Sequence, residues 1–115
     1  MYLGMTDEDY RKVYDTTPRI VGERIGLSSA SDLSTEEVLG QIEINDSTAF
    51  KIMEIFRSTY SEWWDLSKQI AETDDPKRLS DLRNQLKTKI FARDEIRKSL
   101  ISYLNFKYGK ANGNN

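Results

Sequence analysis

The sequence predicts an all-α protein whose main element is a long antiparallel helical hairpin, over about 47–72 and 76–106. Apolar residues recur three, four and seven positions apart in both stretches, so each stretch has one helix face to bury. The pattern breaks once, at Thr73-Asp74-Asp75-Pro76, and proline at a first helical position favours a new helix after a short turn. No segment alternates apolar and polar residues for long enough to predict a strand.

The N-terminal third is predicted to form two or three short helices that pack on the hairpin. Thr6 and Asp9 have the spacing of a capping box, which favours a short helix over about 7–14. Thr17 followed by Pro18 predicts a second helix, which ends before Gly26.

Another capping box opens the next helix. Ser34 and Glu37 have the required spacing, and apolar residues at Val38 and Ile42 follow on one face. Segment 45–47 then interrupts the pattern and caps the first long helix. We expect a single helical domain over 1–108, a leader over 1–5, a loop over 27–32 and a disordered polar tail over 109–115.

The two long helices carry apolar stripes of similar spacing. In the first helix the stripe consists of Ala49, Ile52, Phe56, Trp63, Leu66 and Ile70. In the second it consists of Leu79, Leu82, Leu86, Ile90 and Leu100. Two stripes of this kind facing each other form the core of a hairpin.

Composition narrows the possible functions. The 115 residues include no histidine and no cysteine, which excludes zinc sites made of those ligands and Ser-His or Cys-His catalytic pairs. Calcium-loop, phosphate-loop and nucleophile-elbow motifs are also missing from the sequence. We therefore expect a non-enzymatic protein without a metal or cofactor. The sequence contains neither an apolar leader nor an apolar run long enough to span a bilayer, so we expect no membrane and a cytoplasmic location.

Charge is distributed unevenly along the chain. Residues 1–75 contain seven basic and sixteen acidic side chains, a net charge of −9, whereas residues 76–115 contain ten basic and three acidic side chains, a net charge of +7. The acidic half of one subunit could therefore meet the basic helix of another, and we expect a homo-oligomer or a complex with another protein.

Several side chains lie away from the predicted stripes. Trp64 is about 100° from Trp63 around the helix, so both cannot face one core, and we expect Trp64 to be partly exposed. This exposure is not expected if the short N-terminal helices pack there, which is the interpretation we favour, or if another subunit covers it. Phe91 and Ile101 are displaced from the second stripe in the same way. The predicted protein interface consists of Trp64, Phe91, Ile101, Arg93 and Arg97.

A nucleic-acid or nucleotide interface is the alternative interpretation of the basic helix. Arg83, Lys87 and Arg97 are the residues of this helix that would neutralise phosphates. A sequence pI near 5.2 argues against nonspecific nucleic-acid binding as the main activity.

The N-terminal segment carries a resemblance to a known family. The run Leu3-Gly4-Met5-Thr6-Asp7-Glu8-Asp9-Tyr10, followed by Tyr14-Asp15-Thr16-Thr17-Pro18-Arg19, resembles tail-assembly chaperones of long-tailed bacteriophages. The resemblance covers about seventeen residues of the chain, and the hairpin is not matched by it. It implies a protein that coats the tape-measure protein during tail assembly in a bacterial cell and has no catalytic site.

Overall fold

The structure, a computed structural model, describes residues 5–27 and 32–109. Four helices account for most of them: α1 (Asp7–Arg24), α2 (Thr35–Asn45), α3 (Ser47–Glu72) and α4 (Pro76–Tyr108). No strand is formed in the described ranges, so the prediction of an all-α protein is confirmed. The predicted leader, the predicted loop over 27–32 and the predicted polar tail lie mostly outside the described residues.

A side chain caps the N-terminus of each helix. The hydroxyl of Thr6 accepts the backbone N–H of Asp9 at 3.1 Å, and the Asp9 carboxylate accepts the N–H of Thr6 at 3.0 Å. The backbone N–H of Thr6 first, and its hydroxyl second, stabilise the Asp9 carboxylate and lower the pKa of Asp9. Ser34 and Glu37 form the same capping box at α2. Asp46 and Asp75 cap α3 and α4.

The predicted break at Thr17-Pro18 is wrong, because α1 is one helix of 18 residues with Pro18 inside it. Proline has no N–H, so the carbonyl of Tyr14, four residues earlier, loses its usual helical donor. Arg57 of α3 supplies that donor through its Nε, at 3.1 Å from the Tyr14 oxygen. The tertiary contact satisfies the carbonyl that proline would otherwise leave without a hydrogen bond.

Three contacts show how α3 and α4 lie against each other. Arg78 donates to Gln69 at 3.3 Å, Lys89 pairs with Glu62 at 2.7 Å, and Lys107 pairs with Asp46 at 3.2 Å. Since residues later in α4 contact residues earlier in α3, the two helices run in opposite directions. The Lys89–Glu62 pair lies at the surface, where such a pair contributes about 1 kcal/mol at most.

The core has two parts. One is aliphatic and contains buried Val21, Val38, Ile42, Ala49, Met53, Leu100 and Leu104 from all four helices. The other is rich in aromatic residues and contains buried Tyr60, Trp63, Trp64, Leu66, Leu82 and Leu86 of α3 and α4. Helix α1 contributes to both, because its first half packs on the aromatic part and Val21 in its second half belongs to the aliphatic part.

Candidate functional site

Stacked rings join α1 to α3. The ring of Tyr10 lies 5.2 Å from that of Tyr60 and 5.5 Å from that of Trp64, and it is within 7° of parallel to the latter. Tyr14 stacks on Tyr10 at 5.5 Å, and Trp63 stacks on Tyr60 at 5.4 Å. We call these five residues the aromatic cluster. Offset-stacked pairs of this kind add to the free energy gained by burial alone.

Trp64 is buried, with 3% of its surface exposed, and of the two alternatives for covering it the structure shows packing of an N-terminal helix. Helix α1 covers the side of α3 that carries it: Tyr10 lies on its ring, and its Nε1 donates to the Asp7 carboxylate at 3.1 Å. Both tryptophans are buried because α4 and α1 pack on two different sides of α3. Trp64 is thus a core residue of the single chain, and we do not retain it as an interface residue.

Arg93 also contacts the core. Its guanidinium lies 4.9 Å from the centre of the Trp63 ring and pairs with Asp94 at 3.2 Å. A cation over a tryptophan face is attracted by the ring quadrupole. Arg93 therefore packs on the outer side of the aromatic cluster and stabilises it. Arg93 and Asp94 also line a small concavity with Arg97 and Val13.

A mostly apolar groove of about 410 Å³ lies between α1 and α4. We call it the α1–α4 groove. Ile20 of α1 is 54% exposed and Ile101 of α4 is 40% exposed on its two walls. The groove is lined by Val13, Thr17, Ile20, Val21, Arg24, Phe56, Arg97, Leu100, Ile101, Leu104 and Asn105. Its two charged lining residues are both arginines, so a partner of negative charge fits it best.

The structure separates the predicted interface residues. Ile101 and Arg97 lie together in the α1–α4 groove, and Arg93 lies at the adjoining concavity. Phe91 is 67% exposed but does not line the groove. Sequence reasoning missed Ile20, although its seven-residue spacing from Val13 already places the two on one face of α1.

The basic residues of the alternative interpretation lie in two places. Arg83 and Lys87 are exposed, one helical turn apart, and in the described part of the chain no hydrogen bond or ion pair engages either side chain. Arg97 lies further along α4 and lines the groove. The structure therefore does not combine the three into one compact basic patch.

Asp46 joins the start of α3 to the end of α4. Its Oδ1 accepts the N–H of Ala49 at 3.0 Å and the hydroxyl of Tyr103 at 2.8 Å. Its Oδ2 accepts the hydroxyl of Tyr108 at 2.5 Å and pairs with Lys107. Burial alone would raise the pKa of Asp46, but these hydrogen bonds, that from Tyr108 first, lower it to about 2. The carboxylate is fully engaged by its own chain and connects the last turns of α4 to the start of α3.

Within residues 5–27 and 32–109, no cluster of three or more acidic side chains is arranged to hold a metal ion. No helix in those ranges is both long and apolar enough to cross a bilayer. A comparison with protein-family models, curated proteins and solved structures found no match.

Proposed function

We propose that the protein is a non-enzymatic interaction protein and that the α1–α4 groove is its binding surface. The observation that carries the proposal is the exposure of Ile20 and Ile101 on facing walls of an apolar groove. Exposed apolar side chains that line one concavity are typical of protein interaction sites, whereas singly scattered ones are not. The residue types also support it, since the chain has no histidine or cysteine for the commonest catalytic sites.

The groove favours a helix as the bound element. Its walls are two helices whose exposed apolar residues are spaced by about one or two turns, and an amphipathic helix presents side chains at the same spacing. Arg24 and Arg97 line the groove, so the bound helix would carry carboxylates beside its apolar stripe. The bacteriophage resemblance, if it extends to function, gives the tape-measure protein as such a partner, in the cytoplasm of an infected bacterium.

Site-specific photo-cross-linking in the cell that produces the protein tests this proposal. The photoreactive residue p-benzoylphenylalanine replaces Ile101 in one variant and Phe91 in a matched control, since both positions are exposed on α4. We expect a protein adduct from position 101 and none from position 91, with mass spectrometry identifying the captured chain. Equal adducts from both positions, or none from position 101, would contradict binding in the groove.

A nucleic-acid interface on the outer side of α4 is the second candidate. Arg83 and Lys87 are exposed cations, and Phe91, one turn further on, offers an exposed ring on which a base can stack. Fluorescence anisotropy with a labelled single strand and a labelled duplex, at low and high salt, tests it. Salt-dependent binding that is lost in Arg83→Glu with Lys87→Glu, and that is retained in Arg97→Glu, would support this candidate. Binding that is unchanged in the double variant would exclude this candidate.

A further inference from the structure

One stripe of α1 has a pattern that is complementary to itself. Its residues are separated by four, three, one, three and four positions, and they are Asp9, Val13, Thr16, Thr17, Ile20 and Arg24. At about 100° per residue, all six fall within an arc of roughly 100° on one side of the helix. We call them the α1 stripe. The stripe has an acidic residue at one end, a basic residue at the other, and two threonines with small side chains in the middle.

Antiparallel pairing of this stripe with a second copy matches every position. In an antiparallel pair of identical helices related by a two-fold axis, the residue numbers of every facing pair add up to the same value. Asp9 of one copy therefore faces Arg24 of the other copy. Val13 then faces Ile20 of the other copy, and the two threonines meet at the axis. Small residues at the centre allow two helix axes to approach closely.

The side chains of the stripe are available for this contact. Val13 and Ile20 are exposed, and concavities lie on both sides of them, the α1–α4 groove on one side and a shallow depression with Lys12 on the other. The Oδ1 of Asp9 takes no part in the hydrogen bonds of the capping box. Arg24 uses Nη2 for Asn105 and the carbonyl of Gly109, and Nη1 has no partner among the described residues.

We infer that the occupant of the groove is helix α1 of a second copy, in a two-fold symmetric dimer formed by the α1 stripe. This inference rests on the proposed function and names its partner. Charge complementarity selects the antiparallel arrangement, because a parallel pair would place Asp9 on Asp9 and Arg24 on Arg24. Ile101 then packs beside Ile20 at the edge of the contact, and Arg97, which lies beside Val13, is level with Ile20 of the second copy.

Cysteine cross-linking tests the dimer and its geometry together. The natural chain has no cysteine, so Thr16→Cys introduces one thiol at the axis, and Thr88→Cys introduces one at an exposed position of α4 that is not among the groove-lining residues. A disulfide forms only where two Cα atoms approach within about 7 Å. Under mild oxidation we expect a covalent dimer from Thr16→Cys and monomer from Thr88→Cys. A dimer from both, or from neither, would overturn the geometry.

Light scattering coupled to size exclusion measures the affinity of the unmodified chain. We expect a dimer that dissociates on dilution, and Ile20→Asp raises its dissociation constant at least about tenfold by placing a charge in the apolar part of the stripe. Arg24→Asp should weaken the dimer, and the double substitution Asp9→Arg with Arg24→Asp should restore it, with circular dichroism verifying the fold of each variant. A monomer at every concentration would refute the dimer.

The photo-cross-linking experiment separates failure of the dimer from failure of the proposed function. An adduct from position 101 that contains this chain itself agrees with the dimer. An adduct with a different protein, together with a monomeric purified chain, refutes the dimer and leaves the groove as a binding surface for that protein. No adduct from position 101 refutes both.

Discussion

Helix α1 has two faces with opposite surroundings. Its inner face places Tyr10 on Trp64 and buries Val21 in the aliphatic core, whereas its outer face leaves Val13 and Ile20 exposed beside α4. Both faces carry apolar residues at helical spacing. The comparison shows that apolar residues recur at helical spacing on a buried face and on an exposed face alike. Which of the two faces is buried depends on where the neighbouring helices pack. The predictions below test this difference, beginning with the covered face.

Trp64→Ala should cause the largest loss of stability. The substitution removes a buried ring that stacks on Tyr10 and breaks the hydrogen bond to Asp7, so we expect the free energy of unfolding to fall by about 3 to 5 kcal/mol. Phe91→Ala is the control on an exposed position and should change it by no more than about 0.5 kcal/mol. Urea unfolding followed by circular dichroism measures both. Similar values for the two variants would mean that α1 does not cover Trp64 in solution.

The two tryptophans show how far sequence reasoning extends. Spacing and capping residues predicted the long helices closely, because helix periodicity and N-caps are local properties. The burial of Trp64 could not be predicted from α3 alone, since it depends on α1 lying across that side of the helix. The continuation of α1 through Pro18 depends in the same way on Arg57, which comes 39 positions later in the sequence.

Arg57 and Pro18 should be energetically coupled. Arg57→Met removes the donor to the Tyr14 carbonyl and the cation over the Tyr14 ring, and we expect it to cost about 2 to 3 kcal/mol of unfolding free energy. In a Pro18→Ala background the new N–H can bond the same carbonyl, so the loss should be smaller by about 1 kcal/mol. A double-mutant cycle measured by urea unfolding tests the coupling. Strict additivity would show that the carbonyl does not depend on Arg57.

Acid should weaken the contact between the start of α3 and the end of α4, because it protonates Asp46. Its pKa is lowered from 3.8 to about 2 in the folded chain, so its contribution is complete above pH 3.8 and is lost as pH falls towards 2. This shift corresponds to about 2 kcal/mol. Asp46→Asn removes the titration, and the stability difference between natural chain and variant should therefore shrink by that amount between neutral and strongly acidic pH. Unfolding at a series of pH values measures it, and a constant difference would contradict the assignment.

The groove was only partly predictable from the sequence. Ile101 and Phe91 both fall off the predicted stripe, and no local pattern distinguishes them. Only the position of α1 beside the end of α4 makes Ile101 part of a concavity and leaves Phe91 outside it. Arg97 was predicted for its charge, and it lines the groove for the same tertiary reason.

The smallest expected effects concern two adjacent residues of α1 that differ sharply in exposure. Ile20 is 54% exposed and Val21 is 1% exposed, so the boundary between the open and covered faces runs between them. Ile20→Thr keeps branching at Cβ and should lower the free energy of unfolding by only about 0.5 kcal/mol. Val21→Thr buries a hydroxyl at nearly constant volume and should lower it by about 1 to 3 kcal/mol.

The variant that loses less stability, Ile20→Thr, should lose more self-association. At concentrations where both remain folded, Ile20→Thr should dissociate more readily in light scattering, because it removes apolar contact from the open face. Val21→Thr should associate like the natural chain, since Val21 belongs to the buried core. If Val21→Thr instead weakened association as much as Ile20→Thr, self-association would depend on the integrity of the fold and not on the outer face of α1.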